Sequence, residues 1–194
     1  MKSFLDNATA AHRLLMAAHR ENIKTPGLFA SDSVRKMYES GEQIFKRAVY
    51  CLDLSKVPKS LKKNWGYEGV IFLKEIFDRI ELPPFDEIPD IQTIKAEDKQ
   101  KATAGLYRWR IPNTEIVINR IEEGPRQGEF LFSSDIIPRL DEFVEKVKPL
   151  PYKSDDTVSS GWLEFYQKDY QNLLTADSSG HYYDFGTGYS RGAE

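Results

Sequence analysis

Residues 104–133 read AGLYRWRIPNTEIVINRIEEGPRQGEFLFS. Three runs inside this stretch, 104–112, 114–123 and 128–133, are rich in aromatic and β-branched residues and alternate in twos, which is the period of a strand. The separators PNT (112–114) and GPRQG (124–128) are turn chemistry: glycine supplies positive φ and proline pre-sets its neighbour. Three strands and two short turns make an antiparallel meander. Strand alternation puts Ile116 and Ile118 on one face and Val117, Asn119 and Ile121 on the other. Both faces carry apolar groups, so helices are expected to cover at least one side.

The helices are found on either side of the meander, where the hydrophobic period lengthens. Phe4, Ala8, Ala11, Leu15 and Ala18 recur at helical spacing and predict a helix over 3–22, with Ser3 and Asp6 spaced as a capping box. TPGLFASD (25–32) breaks it. A second helix, about 32–52, puts Val34, Met37, Phe45, Ala48, Val49 and Leu52 on a face, with Gly41 its weak point. The connector 53–63 leads to a third helix, about 65–80, with a stripe of Val70, Leu73, Ile76, Phe77 and Ile80, stopped by Pro83 and Pro84. After the meander come helices at about 135–148 and 160–174; Ser134 or Asp135 is placed to cap the first, and Pro138 falls in its first turn. The expected fold is α+β and mostly helical, about five helices packed with the three-stranded meander. Residues 1–90 form a helical part and 104–174 the meander with two helices, in one compact domain, and 175–194 read as a flexible tail.

The bulk numbers fit such a domain. The chain has 194 residues, 40% apolar and 29% charged, which is globular composition and enough length for a core. A net charge of −3 argues against nucleic-acid binding, which needs a basic face. The single cysteine, Cys51, permits no intrachain disulfide. No apolar run is long enough to span a bilayer, and the first residues lack the pattern of a signal peptide.

Candidate chemistry is thin. Glu122 and Glu123 are adjacent carboxylates, but neighbours on a strand point to opposite faces, so solvated turn charges fit them better than an acid–base pair. His12 and His19 are seven residues apart on one helix, where metal ligands want three or four, and His181 stands far away in the tail. GPRQG lacks the helix N-terminus that a phosphate cradle requires, leaving Arg126 as a contact residue. YRWR (107–110) interleaves rings and cations as single-strand nucleic-acid platforms do, yet alternation sends Tyr107 and Trp109 one way and Arg108 and Arg110 the other. Ser133 and Ser134 have no nucleophile-elbow glycines, and Cys51 reads as core filler. No catalytic, cofactor or metal site is expected.

The stretch 109–152, WRIPNTEIVINRIEEGPRQGEFLFSSDIIPRLDEFVEKVKPLPY, resembles the N-terminal extramembrane domain of one group of bacterial MscS-like mechanosensitive channels. The blocks that carry the likeness are Trp109, Ile111 and Pro112; Thr114, Glu115 and Ile116; Arg120 through Ser133; Arg139, Glu142 through Glu145 and Val147; and Leu150 through Tyr152. Upstream, AVYCLDLSKVP (48–58) and FLKEIFDRIELPPFDEIPD (72–90) share the style, so the likeness runs over about 3–174. It implies a periplasmic, non-enzymatic regulatory or protein-interaction domain attached to the membrane part of a channel that answers osmotic downshock. The partner implied is that membrane part, in the same chain or another, with self-association through it; nucleic acid is not implied. The turn and contact residues it points to are Arg120, Glu122, Glu123, Gly124, Pro125, Arg126, Gly128 and Glu129. By itself the domain is expected to be a monomer or weakly associated. The rival expectations are a soluble small-molecule-binding module of the cell envelope and an uncharacterised hydrolase using Glu122 or Glu123.

Overall fold

A computed structural model describes residues 1–24, 30–88 and 107–167. Among them are α1 (Lys2–Lys24), α2 (Asp32–Val49), α3 (Lys62–Phe77), β1 (Arg108–Arg110), β2 (Val117–Arg120), β3 (Phe130–Phe132), α4 (Leu140–Val147) and α5 (Trp162–Phe165), with 3-10 turns at Phe85–Glu87 and Ile137–Arg139. The fold is α+β and mostly helical, with one three-stranded antiparallel sheet in the order β1-β2-β3. The expected residues 104–106 of the first strand, 168–174 of the last helix, and the 175–194 tail with His181 lie outside the described residues.

The helical period was a faithful guide to the core. All five residues of the α1 stripe are buried: Phe4, Ala8, Ala11, Leu15 and Ala18. Ser3 lies inside α1, which begins at Lys2, so it caps nothing; it accepts from the Asn7 side-chain amide one turn on. Ser31 caps α2 instead, its hydroxyl accepting from the Val34 N–H at 3.3 Å. Gly41 is no weak point. A Cβ there would stand 2.8 Å from Leu15 Cδ2, so the missing side chain is what lets α2 close on α1.

α3 is the hub, touching α1, α2, α4 and α5. It is buried nearly all round: besides Val70, Leu73, Ile76 and Phe77 it buries Tyr67, Ile71, Lys74 and Glu75. The sheet turns the row Trp109–Ile118–Phe132, which the strand register aligns, to the core, and Phe132 reaches Phe77 of α3. Phe132 meets Phe4 edge-on at 5.0 Å and Phe77 at 5.9 Å, and Phe4 meets Phe77 at 6.0 Å. These three rings join α1, α3 and β3 in one core, and the two edge-to-face pairs that Phe4 makes add about 0.5–1.5 kcal/mol each beyond area burial.

The strands are shorter than their sequence pattern because only three or four residues of each are paired. The β3 edge is extended by a different part of the chain. Leu52, just after α2, forms a parallel bridge with Phe132; Phe132 N–H donates to Cys51 O at 3.0 Å and Asp53 N–H to Phe132 O at 2.9 Å. The expected helix at 135–148 starts as the 3-10 turn with Pro138 and becomes α-helical only at Leu140. No side chain caps it, because Asp135 is turned to Lys56 at 2.6 Å.

Candidate functional site

The turn that follows β2 is built from two glycines. Gly124 has φ +87° and Gly128 φ +86°, with nothing near a would-be Cβ at either, so backbone conformation and not space selects glycine. Gly128 N–H donates to Ile121 O and Ile121 N–H to Glu129 O, each at 2.8 Å. Two residues facing one, the first a left-handed glycine, is a G1 bulge, which twists the ribbon. Within the loop, Gln127 N–H reaches Gly124 O at 3.1 Å and Glu129 N–H reaches Arg126 O at 3.1 Å.

The twist turns Arg126 back over the end of α2. Its guanidinium donates to Tyr50 O at 2.6 Å and to Leu52 O at 3.5 Å, pairs with Glu129 at 2.6 Å, and lies 3.7 Å above the Tyr50 ring. A guanidinium has five donors in a planar fork, and these partners use both the fork and the face. Arg126 thus caps the spent carbonyls after α2 and fixes the hairpin to them. Glu122, Glu123, Gly124 and Pro125 are exposed on the rim, while Arg120, Gly128 and Glu129 are half-buried.

Between this hairpin and the 49–56 segment lies an open cleft of about 890 Å³. Its floor is the second sheet face, the aligned row Arg108–Asn119–Leu131. Asn119 donates to Ser133 Oγ at 3.0 Å, and its buried Oδ1 accepts from nothing among the described residues. Two lysines of the rim are paired sideways. Lys56 holds Asp135, whose carboxyl it keeps below the usual range, and Lys46 holds Glu42 at 2.9 Å. Of the eight turn residues read from sequence, Arg120, Glu122, Glu123, Pro125 and Arg126 line this cleft. Cys51, next to it, is half-buried, and burial pushes its thiol up.

His12 and His19 are not brought together as ligands. His12 packs on Trp162 at 5.1 Å and His19 on Phe165 at 4.7 Å, each with one ring nitrogen buried without a hydrogen-bond partner. Burial, with Lys74, Arg20 and Arg13 near, lowers His12 to about 4, so it is neutral at pH 7. Among the described residues no cluster of three or more His, Cys, Asp or Glu is arranged to hold a metal.

A second polar assembly had no sequence signal. Lys74 and Asp78, one turn apart on and just after α3, are both buried and ion-paired. Burial pulls the Lys74 ammonium down and pushes the Asp78 carboxyl up, against the attraction between them. The pair grips residues 148–159, which cross α3 as a strap. Lys74 donates to Thr157 O at 2.9 Å, Asp78 Oδ2 accepts from Ser159 N–H at 2.8 Å, and Thr9 adds a bond to Thr157 O at 3.2 Å. Beside it, Glu75 binds Arg79 at 2.7 Å and accepts from the Tyr152 hydroxyl at 2.9 Å, while Arg79 stacks on the Tyr152 ring at 3.8 Å and donates to Lys148 O and Leu150 O. Burial and the Glu75 carboxylate push the Tyr152 hydroxyl up to about 12.

Searches against protein-family models, curated proteins and solved structures match nothing to this chain.

Proposed function

We propose that this chain is a protein-interaction and regulatory domain of the periplasm, working outside the membrane part of an MscS-like mechanosensitive channel in the response to osmotic downshock. In this reading it carries out no reaction. The support is the order of sequence blocks over 109–152 and, upstream, 48–58 and 72–90.

The observation that carries the reading is how those separate blocks meet in space. Glu115, from the second block, pairs with Arg139 at 2.8 Å and Lys146 at 3.3 Å, and Arg139 also holds Glu142 at 3.4 Å. Arg126 is clamped to the end of α2, and Tyr152 to Glu75 of the upstream block. Glu115, Arg126, Arg139 and Tyr152 of the pattern are engaged in holding one shape. A body whose charged motif maintains its own form acts on others through its outside, which suits a scaffold or regulator.

The test is site-specific photo-crosslinking from Glu122 and Glu123 in living cells of the native host, with survival after downshock measured in parallel. The expected result is an adduct with a membrane-embedded pore protein and reduced survival when the gene is deleted. Adducts with soluble proteins alone, together with unchanged survival, overturn the reading.

The cleft of about 890 Å³ favours one alternative, a small-molecule binder of the cell envelope. A large, saturable thermal shift with an osmolyte or envelope fragment would select it.

A further inference from the structure

Two segments of this chain carry opposite charge. From Lys46 to Lys63 there are six cations, Lys46, Arg47, Lys56, Lys59, Lys62 and Lys63, and one carboxylate, Asp53. Lys46 and Lys56 are paired, but the side chains of Arg47, Lys59 and Lys62 have no partner among the described residues. From Glu81 to Ile88 the sign reverses: Glu81, Asp86 and Glu87 are exposed and unpartnered among the described residues, with no cation in the segment.

These two sets sit at opposite ends of α3. A helix of 16 residues is about 24 Å long, more than two Debye lengths in 0.1 M salt, so the sets do not neutralise each other within one chain. The basic set also runs against the helix dipole. Lys62 and Lys63 occupy the first turn of α3, which holds no acid and begins at Leu61 without a side-chain cap. Anions are favoured there. Each end also presents an exposed ring, Tyr50 at 60% and Phe85 at 52%.

We propose that the two ends bind each other between copies, the Tyr50–Lys59–Lys62 end of one chain against the Glu81–Glu87 end of the next. The two surfaces are different, so the contact is head-to-tail and propagates to a ring or filament; it does not close as a twofold dimer. Opposite charge steers and aligns the encounter, and the two rings supply the desolvated contact. Exposed ion pairs are individually weak, so the association is weak and salt-sensitive. This inference is independent of any channel: it stands or falls on the isolated chain.

The experiment is sedimentation velocity over a concentration series at about 20 mM and about 500 mM salt, where the screening length differs several-fold. Two variants accompany the native chain, Lys59→Glu with Lys62→Glu, and Asp86→Lys with Glu87→Lys. The native chain is expected to gain mass with concentration only at low salt. Each variant alone is expected to stay monomeric, and an equimolar mixture of the two to associate again, because the unaltered basic end of one variant meets the unaltered acidic end of the other. A monomeric native chain at every concentration overturns the proposal. So does association that survives either reversal, or a mixture that does not recover it. Far-ultraviolet circular dichroism and the melting temperature keep loss of fold apart from loss of contact; acids in the first turn of α3 are expected to leave the fold intact.

Discussion

The molecule contains the same clamp twice. Arg79 stacks on Tyr152, pairs with Glu75 and donates to two carbonyls of the strap; Arg126 stacks on Tyr50, pairs with Glu129 and donates to two carbonyls after α2. The parts are alike and the settings are not. The Arg79 and Glu75 side chains are 10% and 4% exposed, whereas Arg126 and Glu129 are 23% and 39% exposed. Water can replace a lost partner at the hairpin but not on α3. Identical hydrogen-bonding groups should therefore differ in energetic weight by about twofold, and burial alone should set the ratio.

The largest effect tests the buried clamp. Arg79→Met strands the Glu75 carboxylate in the interior and is expected to cost about 3 kcal/mol in urea unfolding. Hydrogen exchange should show residues 148–159 opening before α1 does.

The next test belongs to the same side of the molecule. His12 stays neutral in the folded chain down to about 4, below its unfolded value of 6.5. The unfolded chain binds that proton first, so the contribution is complete above pH 6.5 and is lost as pH falls from 6.5 through 4. Relative to the native chain, His12→Phe should gain about 2 kcal/mol over that interval, after allowance for partial exposure. Parallel stability curves for the two proteins from pH 7 to 4 would remove His12 from the account.

At the hairpin the numbers shrink. Arg126→Met should cost about 1–2 kcal/mol, since the released Tyr50 and Leu52 carbonyls find water. A cost equal to that of Arg79→Met would break the comparison. Smallest of all, Glu122→Gln and Glu123→Gln should each stay within about 0.5 kcal/mol, as exposed side chains outside either clamp.

The same contrast explains what was legible beforehand. The α1 stripe and the meander could be read because apolar period and turn glycines are local signals, and Gly124 and Gly128 do adopt the positive φ that the turn chemistry calls for. Gly41 misled because propensity sees only its own helix, while its reason is Leu15 of another. Asp135 misled likewise: it has the chemistry of a cap, but Lys56 lies within reach. The strap was invisible. KSDD and its neighbours have loop composition, and Lys74 with Asp78 looks like an ordinary surface pair one helical turn apart. Only the chain crossing over them makes them interior. At the cleft the GPRQG turn was readable, but the guanidinium's carbonyl acceptors lie more than seventy residues upstream, beyond any local pattern.

The parallel bridge between Leu52 and Phe132 carries a consequence for synthesis. Ribosomes add about 5–20 residues per second, so the partner for Cys51 through Asp53 emerges roughly 4–16 s after they do. Through that wait α1, α2 and α3 can pair, yet the side of the Phe4 ring that Phe132 covers and the end of α2 stay bare. The nascent N-terminal half is thus a natural client for holding chaperones until the meander arrives to finish it.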